Sequence, residues 1–194
     1  MFLYRIFRFF LFIAAKVFFH LEVRGRKYIP LKGGFVLASN HSSILDPMLL
    51  GVACPRELNF AARDTLFRNP FFGALIFKVG AFPIKRWSAD LAAIKESVRR
   101  LKIGRGLVVF PQGTRSSGFE LNNISTGFVF LADKAKVPIV PVRIRGSRNA
   151  MGKGRKLIKP AKIRITFGKP VFIKDLKDYD KIAKDVFGQI ALLS

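Results

Sequence analysis

The sequence predicts an α/β fold: a single domain with a largely parallel, mixed sheet flanked by helices, preceded by an N-terminal helix at a membrane interface. Three observations predict it. From Gly33 onward, strand-like and helix-like segments alternate, as in a sheet built by crossover connections. The length, 194 residues, suits one domain with its own core, and no linker, repeat or low-complexity tract divides it. The first 20 residues are apolar yet carry cations, which separates residues 1–20, an anchoring helix, from residues 21–194, the globular domain.

Residues 1–19 are interrupted by Arg5, Arg8 and Lys16. The longest uncharged run there, residues 9–15, is far short of the roughly 20 residues that span a bilayer. On a helix the three cations fall within about 80° of one another, with Phe12 in the same arc. This points to a helix lying in the interface with its cations toward headgroups. A cleaved signal peptide and a buried core helix are the alternatives, and Ala14-Ala15-Lys16 is a poor cleavage site.

Residues 34–39 read as a buried strand, 46–53 as a short helix and 58–62 as a strand. Residues 70–79 form an apolar helix opened by Pro70, and 81–84 a short strand. In residues 89–102, Leu91, Ile94, Val98 and Leu101 recur every three or four positions with charges between, the pattern of an amphipathic helix. A strand over 106–110, a helix over 126–136 and a strand over 139–144 follow. Residues 151–159, rich in glycine and lysine, read as a mobile basic loop. Ile163, Ile165 and Phe167 alternate with Arg164 and Thr166, as in a half-exposed strand. Residues 179–193 close the chain as a helix.

Composition narrows the partners. Half of the residues are hydrophobic, and 21 Phe against 3 Tyr and 1 Trp favour apolar contact, with lipid a good candidate. The formal net charge is +23, from 35 Lys+Arg against 12 Asp+Glu, so the chain seeks a polyanion. High hydrophobicity beside high positive charge favours an anionic membrane surface over nucleic acid, for which no recognisable module is present. The single cysteine, Cys54, excludes an internal disulfide and suits a reducing compartment. It lies in an apolar stretch and reads as a buried, inert thiol.

Two motifs carry chemistry. The first is Asn40-His41-Ser42-Ser43-Ile44-Leu45-Asp46, just after an apolar run. A histidine with a nearby carboxylate makes a general base and the group that orients it, which suffices when the substrate brings its own hydroxyl nucleophile. Five positions along one helix turn about 140°, so His41 belongs to the loop leaving a strand. Asp46 then sits in the first turn of the next helix, with Ser42 or Ser43 as N-cap. The plain alternative is a capping Asp46 before Pro47 and an ordinary loop histidine. The second motif is Phe110-Pro111-Gln112-Gly113-Thr114-Arg115-Ser116, which follows the apolar run Leu107-Val108-Val109. Gly113 lets backbone approach a ligand. No His/Cys/carboxylate cluster has metal-ligand spacing, and no dinucleotide or Walker-type glycine loop is present, so no metal and no cofactor are expected.

With both motifs placed, the chain resembles the phospholipid/glycerol acyltransferase family, whose best-known members are the 1-acylglycerol-3-phosphate acyltransferases of bacterial membranes. Asn40, His41 and Asp46 match its Asn-His-x-x-x-x-Asp pattern. Leu66-Phe67, Pro70-Phe71-Phe72-Gly73 and Gly80-Ala81-Phe82-Pro83-Ile84-Lys85-Arg86 match a second block. Phe110 to Ser116 match a third, and Val137-Pro138-Ile139-Val140-Pro141-Val142 a fourth. Two positions depart from the pattern: Gln112 stands where the family usually has Glu, and Ser125 about where it often has Lys.

The resemblance implies acyl transfer from a thioester, carried by acyl carrier protein or coenzyme A, to the sn-2 hydroxyl of lysophosphatidic acid. The product is phosphatidic acid. His41 is the expected base and Asp46 its orienting partner, with Asn40 and Gln112 in support. Arg86, Gly113, Thr114 and Arg115 are expected to bind the acceptor phosphate, arginine forks matching phosphate oxygens better than lysine. Ser42 or Ser43 as a covalent nucleophile is the less economical alternative to a capping role. Phe71, Phe72, Leu75, Ile76 and Phe77 are candidates for an acyl-chain groove, for lipid contact or for plain core packing. The expected location is the cytoplasmic face of a cell membrane, peripheral or monotopic. The runners-up are the same chemistry on another lyso-lipid or amino-lipid, and a catalytically weak lipid-binding protein.

Overall fold

The computed structural model describes residues 2–78, 80–84, 90–113, 124–152, 154, 157–173 and 178–194, without the side chains of residues 2–7, 72 and 75. In chain order the elements are α1 (Phe2–Phe19), β1 (Glu22–Arg24), β2 (Phe35–Ser39), α2 (Asp46–Ala53), β3 (Leu58–Arg63), α3 (Pro70–Lys78), β4 (Ala81–Ile84), α4 (Leu91–Lys102), β5 (Gly106–Val109), α5 (Gly127–Ala135), β6 (Ile139–Arg145), α6 (Ser147–Met151), β7 (Arg164–Phe167) and α7 (Tyr179–Leu192). Short 3-10 turns occupy Arg26–Tyr28 and Asp64–Phe67.

The sheet has seven strands in the order β1-β7-β6-β2-β5-β3-β4. Every neighbouring pair is parallel except β6 with β7. β2 lies in the middle, between β5 and β6, and all five of its residues are buried. That is why its sequence is a continuous apolar run rather than an alternation. β7 has one face partly exposed and does alternate. Side chains from one sheet face, such as Phe35, Leu37, Val140 and Val142, pack under α1, α2 and α6. Those from the other, such as Val36, Ala38, Leu107 and Ile139, pack under α4, α5 and α7. Each fully buried aliphatic or phenyl side chain contributes about 1.5–3 kcal/mol.

The predicted strands and helices lie where the pattern puts them, with ends shifted by a residue or two. Gly34, just before β2, has no room for a side chain: a Cβ there would stand 2.1 Å from the Leu101 carbonyl oxygen at the end of α4. β1 and α6 were not expected: each is very short, and β1 exists through its pairing with β7, some 140 residues away in sequence. The basic loop expected over 151–159 is tethered at both described ends. Met151 closes α6, Gly152 forms an antiparallel bridge with Ser43, and the Lys159 N–H donates to the Ala150 carbonyl at 3.0 Å.

The N-terminal helix is turned differently from the expectation. Arg8 faces the protein and donates to the carbonyls of Cys54 and Pro55, at the end of α2. Ala15 is buried, and Leu11, Phe12 and Phe19 pack on the same core. The outward side is apolar: Phe9, Phe10, Ile13, Val17 and Phe18 are exposed, Phe10 to 63% and Val17 to 71%. Arg8 leaves the expected headgroup-facing arc because the carbonyls at the end of α2 attract a guanidinium; Lys16 is exposed, and the Arg5 side chain lies outside those described. Among the described residues no helix is long and apolar enough to cross a membrane.

Candidate active site

β2 and β5 are parallel neighbours whose last paired residues are Ala38 and Val109. The two motifs therefore leave the sheet side by side at the C-terminal edge of the strands, where open α/β sheets build their sites. β6, on the other flank of β2, ends at the same edge.

Asn40 extends the sheet by one side chain. Its carboxamide donates to the Ile144 carbonyl at 2.9 Å and accepts from the Ile144 N–H at 2.8 Å. An amide side chain has the same donor and acceptor pair as a peptide group. Asn40 thus continues the β2–β6 ladder where the backbone of β2 turns away, and it holds the root of the His41 loop to β6.

His41 and Asp46 meet. The imidazole Nδ1 lies 2.9 Å from Asp46 Oδ2, and the same oxygen accepts the backbone N–H groups of Ser42 and Ser43 at 2.7 and 2.8 Å. Asp46 is fully buried, and three polar groups converge on this one oxygen. Oδ2 already acts as acceptor to two backbone N–H groups, so Nδ1 is assigned as the donor in this pairing. Nε2 then holds the imidazole lone pair. The Phe110 ring stacks on the imidazole, centroids 4.1 Å apart and planes 21° apart, which fixes the ring's orientation from the β5 side.

The expected capping role of Ser42 and Ser43 is corrected. The N-cap position of α2 is Leu45, with no side-chain cap. The serines reach Asp46 through their backbone N–H groups, the reverse of a cap, because the carboxylate at the first helical position collects the N–H groups that precede it. Their hydroxyls point elsewhere. Ser42 Oγ is 3.0 Å from Ser147 Oγ, and Ser43 Oγ donates to the Met151 carbonyl at 2.6 Å and accepts from the Leu45 N–H at 3.1 Å. Hydroxyls held this way, on the α6 side of the loop, fit a structural role better than a nucleophile.

Gln112 comes to the site. Its Oε1 accepts the His41 backbone N–H, a long bond at 3.5 Å. Gly113 has φ +65° and open space where a Cβ would stand, and its N–H closes a turn onto the Phe110 carbonyl at 2.9 Å. Ser125 is exposed, and its N–H donates to the Pro111 carbonyl at 2.9 Å. Arg86, Thr114 and Arg115 lie outside the described residues. Of the candidates for acyl-chain contact, Phe71 and Phe77 are exposed rather than packed in the core, while Phe72 and Leu75 have no described side chain. Cys54 is buried, and burial pushes its thiol up to about 11, so it is no nucleophile at neutral pH.

Three contributors to the site were given no role by the motif reading. Phe110 was visible only as a motif letter, and its stacking depends on the β2–β5 register. Ser147 and the Met151 carbonyl act from more than 100 residues away.

The Acyltransferase family model matches residues 20–145. The 1-acyl-sn-glycerol-3-phosphate acyltransferase of Bacillus subtilis (strain 168) is 32% identical over 156 residues, covering 80% of this chain and 75% of that protein. The enzyme of the same name from Streptococcus pneumoniae (strain ATCC BAA-255 / R6) is 35% identical over 145 residues, 74% of this chain and 52% of its own length. The chain thus spans about half of the second relative. The crystal structure of the 1-acyl-sn-glycerophosphate (LPA) acyltransferase PlsC from Thermotoga maritima shares the fold, with TM-score 0.76 at 24% identity over 95% of this chain and 79% of that one. With the family model matching well over half of its length and the histidine–aspartate pair of the family motif in contact, the chain belongs to the Acyltransferase family and is an acyltransferase enzyme.

Proposed function

We propose that this protein acylates the sn-2 hydroxyl of 1-acylglycerol-3-phosphate, taking the fatty acyl group from a thioester of acyl carrier protein or coenzyme A and releasing phosphatidic acid. The names of its relatives supply the substrate. The single observation that carries the chemistry is the His41–Asp46 contact, which leaves Nε2 as the basic nitrogen.

The acceptor hydroxyl gives its proton to His41 Nε2 while its oxygen bonds to the thioester carbonyl carbon. Asp46 holds the tautomer and stabilises the imidazolium. As the tetrahedral intermediate collapses, the carbon–sulfur bond breaks and the imidazolium returns the proton to the departing sulfur. No acyl-enzyme forms, consistent with the bonded state of the Ser42 and Ser43 hydroxyls. The open space at the Gly113 turn supports assigning it to a phosphate or the developing oxyanion, and Arg86, Thr114 and Arg115 are assigned to the phosphate by their motif positions.

The same reading puts the enzyme on the cytoplasmic face of a membrane, peripheral or monotopic, with α1 (within residues 1–20) as anchor and residues 21–194 as the acyltransferase domain. The exposed apolar side of α1 supports it.

The test is acyl transfer by purified protein, offering lysophosphatidic acid and other lyso-lipids with each donor, beside His41→Ala. Turnover of lysophosphatidic acid that falls up to about 10^4-fold in the variant is expected. Full activity in His41→Ala would refute the base assignment. Turnover with a different lyso-lipid only would keep the mechanism and change the acceptor, with Gln112 as the first residue to revert to Glu.

A further inference from the structure

The chain between α6 and β7 is anchored at both of its described ends. At one end Gly152 bridges to Ser43. At the other, the Ile163 N–H donates to the Phe19 carbonyl at 2.9 Å. On either side of this stretch's outermost part, Ala150, Met151 and Ala161 pack into the core shared with α1 and α2. Between those anchored points Leu157 and Ile158 stand out, 75% and 49% exposed.

Topology places this stretch at the active-site edge. β7 runs antiparallel to β6, so Arg164 pairs with Arg145 where β6 ends. β1 is parallel to β7, so Glu22 pairs with Arg164. The end of α1, with exposed Val17 and Phe18, and the stretch before β7 therefore lie at the edge that carries His41. Ile44 and Met48, also exposed, flank the histidine loop.

Charge identifies the occupant. From Arg148 to Lys162 the sequence holds six cations and no acid, and Arg148, Lys159 and Lys162 are exposed. Lys153, Arg155 and Lys156 complete the six and lie outside the described residues. Aliphatic side chains set among cations match the apolar boundary and negative headgroups of an anionic bilayer. An acidic protein would draw the cations but leave the two aliphatics without a reason to be bare.

We infer that Leu157 and Ile158 form a second contact with an anionic bilayer, beside α1 and on the same sheet edge as His41. The inference rests on the membrane reading above. Two supports at this edge hold the mouth of the site against the lipid plane, so that a lyso-lipid reaches His41 without crossing water with its acyl chain exposed.

The test is sedimentation of the full chain with phosphatidylcholine vesicles containing about one third phosphatidylglycerol. Wild type binds. The Leu157→Ser/Ile158→Ser variant, with unchanged melting, binds about tenfold more weakly. The Phe10→Ser/Val17→Ser variant of α1 weakens independently. Wild-type binding that falls only in the α1 variant overturns this inference and leaves the membrane reading standing. A wild type that ignores vesicles overturns both. Unchanged vesicle binding with a raised KM for an acyl carrier protein thioester overturns the inference in favour of protein docking. A second measurement uses an environment-sensitive fluorophore on Leu157→Cys, with buried Cys54 unreactive. A blue shift on adding vesicles supports insertion, and unchanged emission refutes it.

Discussion

The two ends of the sheet use charge in opposite ways. At the N-terminal edge, arginines are consumed where they stand. Arg56 donates to the carbonyls of Pro30, Gly33 and Gly104 at 2.6–2.8 Å, with its guanidinium over the Phe35 ring. Arg100 donates to Glu96, to Asn59 and to the Gly80 carbonyl, and lies over Phe82. Arg105 pairs with Glu57 at 2.7 Å. The C-terminal edge holds one buried carboxylate, supplied by three donors, and one imidazole with a nitrogen left over. A basic cluster whose donors are bound within the protein ties strand starts together. The small polar set at the other edge is the candidate site. The cleft lined by Asn59, Lys78, Arg99, Arg100 and Arg105 is therefore read as architecture despite its charge.

Four substitutions probe that contrast. Asp46→Asn is the harshest. A neutral amide in place of the carboxylate cannot stabilise an imidazolium as a charge does, and turnover should fall by up to about 10^4-fold with secondary structure retained by circular dichroism. Wild-type turnover would show that the buried carboxylate is only a helix-start anchor. Asn40→Ala comes next. It leaves the N–H and carbonyl of Ile144 buried without partners, which costs about 3 kcal/mol, read from the urea midpoint. Activity should drop as well, because the histidine loop loses its tie to β6.

Arg100→Met removes the N-terminal-edge counterpart. Stability should fall by about 2 kcal/mol while kcat/KM stays within about twofold, a split that marks the charge as structural. A matching loss of kcat/KM at unchanged stability would make that cleft functional. Glu96→Gln has the smallest effect. Hydrogen bonds from Arg99 and then Arg100 hold the Glu96 carboxyl down at about 2. Its folded value is depressed, so its contribution is present above the ordinary carboxyl value of 4.5 and lost as pH falls toward 2. The carboxyl is partly exposed and the contribution stays below about 1 kcal/mol. Melting of wild type and variant should differ slightly at pH 7 and converge across that window.

Much of the fold was legible because buried parallel strands and amphipathic helices leave short-range patterns. Asp46–Ala53 and Ala81–Ile84 begin and end where the apolar runs and turn residues say they should. The His41–Asp46 pairing was legible because both partners lie on one loop and its helix start. The orientation of α1 was not. The cations at 5, 8 and 16 form an arc that fits a headgroup layer equally well, and only the position of α2 turns Arg8 inward to the Cys54 and Pro55 carbonyls. The serine hydroxyls were not legible for a related reason: a local rule assigns them to capping, while partners from α6 take them.

What the sequence determined by itself was the alternation of elements, the edge of the sheet from which the two motifs emerge, and the pairing of His41 with Asp46. All of these follow from apolar periodicity and from contacts within a few residues. The tertiary structure alone decided that Phe110 stacks on His41, that Asn40 continues the ladder to β6, that α6 braces the serines, and that the bare side of α1 shares an edge with Leu157 and Ile158. Each joins segments tens of residues or more apart, and strand order and register bring such segments together. No local pattern encodes which strands will be neighbours.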